Sequence, residues 1–522
     1  MGRLQKHYQL VVFLLAAHLL YAPAWEAGLV RDVSGWLQTL HHQSFPDYLM
    51  RRGLQVESLY PVTQGMLWVW WKLFGIHPLP WHLMMVSIHG VCAWGWMRFY
   101  RRIFRNDSIG LFAGWFVLVS PYATEVVVWE AGYHYLQGML LLLAVLWCLF
   151  RYFDSGKTIW LGLGVLLFIP SLFALEVFYL TPVSVAVLLV HFRKNPLSPK
   201  AVRWLLLPIL GLCLAQYLLF RSLYHYQVPH IEAIHPRRVG GYLRKPAKYL
   251  FNLFLMGRYW PDTLRQTVYG FLNSAGFLAG FYLIVAAGVF QFRKRFRLLL
   301  NQPVWVPLAT GLAALLLVTP LYFQDAGQVD FDRYTYFMLP AVGALLGYWI
   351  ANPTVRILVL VGAAGLLLYT VLGWRRSDAL NRKLLLGIPD FKDGRTTVLL
   401  NVPNTYNGIP MTGQTTDGEV GLMRRYVFQK PFSGLVTEPC ACNIASEQDL
   451  VVTTQWQGPQ TVRVTQPNGG GWWVGGGANV DWANDWFSVQ FIPERSAYDL
   501  HLKQPVAQYH LLHWRNDRWI EL

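Results

Sequence analysis

The stretch "IGLFAGWFVLVSPYATEVVVWEAGYHYLQGMLLLLAVLWCLF" (Ile109 to Phe150) decides the fold class. Two apolar runs, Ile109 to Val119 and Met139 to Phe150, flank a junction that carries Glu125 and Glu130. With their apolar neighbours, such runs approach the about 20 residues needed to cross a hydrocarbon core. A carboxylate at membrane depth costs a few kcal/mol or more unless it is paired or faces water. The two acids therefore mark either the end of a span or a site. The rest of the chain supports the membrane reading. Its 522 residues are 54% hydrophobic and only 14% charged, with 24 Trp and a mean hydropathy of +0.31. Soluble domains carry about 25% charged residues.

Working outward, hydropathy gives about eleven spans, near residues 8–25, 79–99, 109–129, 136–153, 158–175, 176–192, 202–222, 270–291, 298–322, 335–351 and 355–374. The net charge of +16 collects in short clusters between them, such as "RRIFR" (Arg101 to Arg105) and "FRKRFR" (Phe292 to Arg297). These clusters fall on one side if the N-terminus is cytoplasmic, as the positive-inside bias expects. No basic, aromatic-interleaved soluble domain is present, which excludes nucleic acid as a partner. The opposite, outer face receives a long first loop (26–78), the Glu125 junction, Glu176, the basic "HPRRVGGYLRKPAKYLFNLF" (His235 to Phe254) and "QDAGQVDFDRYTYF" (Gln324 to Phe337). Acids and arginines from distant positions thus converge on one face. "YPVTQGMLWVWWKLFG" (Tyr60 to Gly75) and "GGYLRKPAKYLFNLFLMGRYW" (Gly240 to Trp260) read as helices lying among the lipid headgroups.

At the N-terminus, a basic start, an apolar core and Ala22-Pro23-Ala24 resemble a signal sequence; a retained anchor is expected, with cleavage after Ala24 as the alternative. Cys92, Cys148 and Cys213 lie within apolar runs and read as small core residues. Cys440 and Cys442 are one residue apart, a spacing that strains a disulfide, and no CxxC…CxxC metal spacing occurs. After Arg376 the composition changes. Residues 380–522 alternate in runs such as "QTVRVTQ" and "WFSVQFI", separated by turn clusters such as "VPNTYNG" (Val402 to Gly408). They read as an all-β soluble module, a small sandwich or barrel. An odd span count places it outside, appended to a catalytic membrane domain of residues 1–376.

The run Leu59 to Phe104, the block "SPYATEVVVWEAGYHYLQGMLLLLAVL", "FALEVFYLTPVSVAVLLV" (Phe173 to Val190) and "DRYTYFMLPAVGALLG" (Asp332 to Gly347) resemble, in the same order, four blocks of the GT-C membrane glycosyltransferases. The likeness is to the protein O-mannosyltransferase type and its tetratricopeptide-bearing relatives. It covers about residues 20 to 350. The family's YRP arginine is absent at Tyr60-Pro61, its SKE lysine is Ala174 or Leu175, and GR is Gly132-Tyr133. The β module stands where tetratricopeptide repeats would follow. The resemblance implies a polytopic α-helical GT-C fold and transfer of a hexosyl group from a polyprenyl-phosphate sugar on the outer face of the cytoplasmic membrane, leaving a glycan, a lipid or a protein as acceptor.

Such a transfer needs a carboxylate to take the acceptor proton, cations for the departing phosphate and a groove for the isoprenoid. The resemblance points to Asp32, in "LVRDVSGWLQ", as general base, with inversion at the sugar; an N-cap before "VSGWLQTL" is the plain alternative. Asp47 and Glu57 share the loop, and "SFPDYLMRR" reads as a capped surface helix. Glu125 matches the TExV glutamate, an acceptor-binding or catalytic acid, against a satisfied polar residue at a span end. Arg333 suits bidentate phosphate capture, against a salt bridge to Asp330 or Asp332. Arg237 and Arg238 form a second phosphate-binding patch, against a solvated loop face. Glu176, Trp129, His134 and Tyr334 are candidate acceptor or substrate contacts. Asp32 and Glu125 could share a divalent cation, yet the outer loops hold no dense carboxylate cluster, so metal-independent chemistry is expected. A transporter or flippase, or a ligase for lipid-linked saccharides, is the competing class; no internal repeat of the transporter kind is visible.

Overall fold

The computed structural model describes residues 2–30, 33–49, 61–174, 179–223, 239–319, 329–412, 419–467, 472–474, 477–478 and 480–522. Helix, or a broken pair of helices, lies at each of the eleven apolar runs. By length and composition, three of the described helices reach spanning size: Glu130–Ser155, Ser198–Leu219 and Pro353–Leu386. Two bent pairs, Asp107–Val119 with Pro121–Val128 and Thr263–Asn273 with Ala275–Gly288, bring the number to five. By this measure the described helices give three to five candidate spans, fewer than the eleven apolar runs. Ile159–Leu172, Leu180–His191 and Trp305–Val318 are apolar but short. The physical reason is that a hydropathy window runs on through a break such as Ser120-Pro121, where the helix does not.

Around the site the helices pack tightly. Pro78–Phe104 starts with proline in its first turn and stops at Arg105, which adopts the left-handed conformation (φ 51°). Asn106 then caps Asp107–Val119, its side chain accepting from the N–H groups of Ser108 (2.9 Å) and Ile109 (3.1 Å). A Cβ at Gly110 would stand 2.7 Å from the Met97 carbonyl, and one at Gly114 2.5 Å from Met97 Cβ. The two helices consequently meet backbone to backbone, as small residues four apart permit. The Gly2–Tyr21 helix lays Ala17 against Gly90 of the same Pro78–Phe104 helix and buries Phe13, Ala17 and Tyr21. Both stretches expected at the headgroups are helical, Pro61–Phe74 and Val239–Leu255.

The C-terminal region carries the expected β-sheet but departs from an all-β sandwich. Among the described residues it holds three sheets, two of them mixed. Thr396–Leu399 pairs in parallel with both Tyr509–Arg515 and Val436–Thr437, and Val402–Tyr406 in parallel with Ala441–Ile444. Parallel neighbours need long crossovers, which local alternation does not reveal. The third sheet is an antiparallel ladder including Thr453–Gly458, Thr461–Thr465, Ala497–Leu502 and Phe487–Ile492. The module's core also begins earlier than its strands. Leu380, Leu384 and Leu385, at the end of the 34-residue Pro353–Leu386 helix, are buried among Val398, Leu512 and Trp514. One helix thus belongs to both parts of the chain. A second joint is the Val33–His42 helix, where His42 Nε2 lies 2.8 Å from the Tyr426 hydroxyl.

Candidate functional site

The break after Val119 creates the site. Ser120 is extended, Pro121 opens a short 3-10 turn, and the helix resumes bent by 55°. Thr124–Val128 is thereby turned into the protein, and all five residues are buried. Glu125 has no exposed surface (0%), a place where a carboxylate needs a charged, hydrogen-bonding partner. That partner comes from 208 positions away. Glu125 Oε1 accepts from Arg333 Nη1, and Glu125 Oε2 accepts from the Arg333 backbone N–H at 2.7 Å. One carboxylate therefore fixes both the main chain and the side chain of Arg333. The guanidinium lies 5.2 Å from the centre of a Trp129 ring and 4.8 Å from that of Tyr334. Arg333 is 17% exposed, so it is the member of the pair that reaches the surface.

A second buried pair adjoins the first. Arg258 Nη1 donates to Asp332 Oδ2, Arg258 Nη2 donates to the Tyr259 hydroxyl, and the guanidinium lies 4.8 Å from the Tyr122 ring. The Asp332 carbonyl accepts from the Thr335 N–H (2.8 Å) and hydroxyl (2.7 Å). Consecutive residues of the Val329–Tyr334 turn thus enter two ion pairs of opposite sense. A third contact differs in kind. Glu130 is buried, its Oε1 stands 3.4 Å from His82 Nε2, and neither carboxylate oxygen has a hydrogen bond among the described residues. His82 Nε2 also lies 3.0 Å from the Ala27 carbonyl, which ties the start of the first loop to the junction.

Of the residues expected at a site, Glu125, Arg333, Trp129 and Tyr334 come together. Trp129 is buried, its indole N–H without a partner among the described residues, so the guanidinium rather than open solvent faces its ring. His134 opens the Tyr133–Ser155 helix, half-buried, its ring 4.5 Å from that of Tyr135, which in turn meets Tyr334 edge-on at 5.8 Å. Asp332 is held by Arg258. Asp32, Glu176, Arg237, Arg238 and Glu57 lie outside the described residues; the helix that follows Asp32 begins at Val33. Asp47 is exposed and accepts from Ser44 Oγ at 2.7 Å, as in a capped surface helix. Among the described residues no group of three or more His, Cys, Asp or Glu is arranged to hold a metal ion. Sequence reasoning missed Arg258, Tyr122 and His82. The one signal for Arg258 was Asp332, an acid beside an arginine that needed a cation of its own.

No family model matches the sequence, and no curated protein does. Among solved structures, the crystal structure of ArnT from Cupriavidus metallidurans bound to undecaprenyl phosphate aligns over 81% of this chain and 89% of that one. The identity is 13% and the TM-score 0.32. A likeness so distant assigns no role to any residue here.

Proposed function

We propose that this protein is a membrane glycosyltransferase that moves a sugar from a polyprenyl-phosphate donor to an acceptor on the outer face of the cytoplasmic membrane. The observation that supports it is the Glu125–Arg333 bond. These residues belong to separate blocks of the resemblance, 208 positions apart, and they meet in a buried, doubly bonded contact. In this reading Arg333 takes the donor phosphate. Glu125 is then a positioning residue rather than the base, because its two oxygens hold the guanidinium and the backbone that carries it. An arginine oriented before the charge arrives stabilises a departing phosphate without reorganisation at the moment of reaction. Tyr334 and Trp129 flank that guanidinium, and Arg237, Arg238, Glu176 and His134 remain candidates for the phosphate and the acceptor.

The step is a single displacement. The acceptor hydroxyl oxygen attacks the anomeric carbon while the bond from that carbon to the phosphate oxygen breaks, the electron pair leaving with the phosphate. The hydroxyl proton passes to the Asp32 carboxylate, and the configuration inverts. The test is turnover of a polyprenyl-phosphate hexose by the full-length protein in nanodiscs, read as release of polyprenyl phosphate. Arg333→Lys keeps the charge but loses the planar fork and should raise the Michaelis constant for the donor about tenfold or more, a loss of roughly 1.4 kcal/mol. An unchanged Michaelis constant in Arg333→Ala would remove Arg333 from the site.

A further inference from the structure

Behind the Arg258–Asp332 pair, a cavity of about 730 Å³ opens between the long Pro353–Leu386 helix, the segment around Arg258 to Arg265 and one edge of the β module. Its size lies within the roughly 300–1,000 Å³ of small-ligand pockets. Its far wall is a tight hairpin. Val402–Tyr406 and Ile409–Pro410 pair antiparallel with Tyr406 opposite Ile409, so Asn407 and Gly408 alone form the turn. Both have positive φ (49° and 75°), which an Asn-Gly turn accepts and most other pairs do not. The hairpin is pressed onto the helix, since a Cβ at Gly373 would stand 2.7 Å from Ile409 Cδ1. Across the mouth, Asn407 Nδ2 donates to the Tyr369 hydroxyl at 3.4 Å.

The chemistry of the walls is uniform in sign. Arg258, Arg265 and Arg376 line the cavity, and among the described residues that line it none is acidic. Arg258 is neutralised by Asp332, and Arg265 is braced by donating from Nη1 to the Arg258 carbonyl at 2.8 Å. Arg376 is exposed at the rim. Tyr369 and Tyr406 also line the cavity, with Tyr259, over whose ring the Arg258 guanidinium lies at 4.6 Å. Aromatic faces such as those of Tyr369 and Tyr406 are of the kind that meet the C–H side of a sugar. On the module side, Asn443 Oδ1 already accepts from Asn404 Nδ2 (2.9 Å) and Thr405 Oγ1 (3.0 Å). Its amide nitrogen is then the end of that side chain left to serve a ligand hydroxyl. Arginines, aromatic faces and amides around one cavity suit a saccharide that carries acidic groups.

We infer that this cavity binds an acidic saccharide, and that this saccharide is the acceptor class of the transferase. The second clause rests on the function proposed above; the binding itself does not. The module would then be the acceptor-holding wall of the enzyme, with the Asn407-Gly408 turn as its contact edge.

The test measures binding to the full-length protein in nanodiscs, without donor, using trigalacturonate as the acidic probe and maltotriose as the neutral one. Trigalacturonate should bind at least tenfold tighter than maltotriose at low ionic strength and lose much of that preference at high salt. Arg376→Gln, at an exposed position that threatens no core contact, should weaken trigalacturonate roughly fivefold, as removal of a partly exposed charge partner does. Asn407→Asp keeps a residue that the turn accepts and places a carboxylate at the mouth, so it should weaken the acidic probe further while leaving maltotriose unchanged. Equal binding of both probes, no binding of trigalacturonate, or indifference to both substitutions overturns the inference. Transfer from the lipid donor is a separate reading: acidic binding without any turnover leaves the cavity assignment standing and removes the enzyme, and turnover without acidic binding does the reverse.

Discussion

Two arginine–carboxylate pairs, one in each part of the molecule, show what position does to the same chemistry. In the module, Arg463 donates from Nε and Nη2 to the two oxygens of Asp499, each at 2.7 Å. The two residues face each other on paired strands, and their side chains are 23% and 13% exposed. In the helical part, Glu125 is wholly buried and takes both a side-chain and a main-chain donor of Arg333. The strand ladder would bring Arg463 and Asp499 together in any case, so their bond adds little to a structure already made. The Glu125–Arg333 bond joins a broken helix to a 3-10 turn whose neighbourhood no local pattern dictates. It reads as a device for holding one guanidinium still, whereas the module pair reads as surface trim.

The largest expected effect concerns whether the two parts are separable at all. A fragment of residues 388–522 loses Leu380, Leu384 and Leu385 from the module core. At about 1.5–3 kcal/mol for each fully buried leucine, the loss approaches the about 5–15 kcal/mol that holds an entire domain together. That fragment should give no cooperative melting, while residues 375–522 should melt cooperatively with a β-rich far-UV spectrum. Equal melting of the two would mean that the helix end is only lying on the module.

Next in size is Asp32→Asn, which keeps the shape and N-capping ability of the side chain but cannot take a proton. Turnover should fall by roughly 10²–10⁴-fold with the melting temperature unchanged. Near-normal turnover would return Asp32 to the role of a cap and move the search for a base to Glu130, Asp47 and Glu57. Glu125→Ala leaves the Arg333 charge in place without its carboxylate and should cost about 3–5 kcal/mol of stability, read as a lowered melting temperature in nanodiscs together with a raised donor Michaelis constant. A change in melting alone, with donor affinity intact, would make the pair structural and erase its contrast with Arg463–Asp499.

The smallest effect is Asp499→Asn, at most about 1 kcal/mol at neutral pH. Its sharper signature is in acid. Hydrogen bonding to Arg463 holds the Asp499 carboxyl below its ordinary value of 3.8. A folded pKa depressed in this way supplies stability above the unfolded value and loses it as pH falls through the folded one. The melting temperature of residues 375–522 should therefore drop below about pH 4, and less steeply in the variant. Identical acid profiles would show that the bond contributes nothing.

The sequence disclosed the helices better than their joints. Every apolar run became helix or a broken pair of helices among the described residues, but the bend at Pro121 that buries Glu125 was not legible, since 109–129 reads as one span. Glu125 and Arg333 could each be chosen as site residues, because an acid and an arginine at the ends of apolar runs are costly and need a reason. Their pairing could not, since hydropathy says nothing about which run packs on which. Arg258 stayed hidden for the same cause: within "MGRYW" it looks like any arginine at a headgroup, and only the fold brings Asp332 to it. In the module the antiparallel ladder follows from alternation and turns. The parallel partnership of Thr396 with Tyr509 joins residues more than a hundred positions apart and leaves no local trace.

The Pro353–Leu386 helix has one more consequence. Its 34 residues make a rod about 51 Å long at 1.5 Å per residue, well beyond the roughly 30 Å of a hydrocarbon core. Along its length it is keyed in sequence: Thr370 to Tyr259, Ser377 to the Pro410 carbonyl, the Leu385 carbonyl to Arg424 and the Leu384 carbonyl to Trp519. Such a rod behaves as a shaft with fixed angular phase. One residue inserted near Gly362, where the helix surface is open, would turn everything beyond it by about 100° and swing the Asn407-Gly408 turn off its seat. Natural or engineered exchange of the module would thus succeed only when the incoming piece brings its share of the shaft in the same rotational phase.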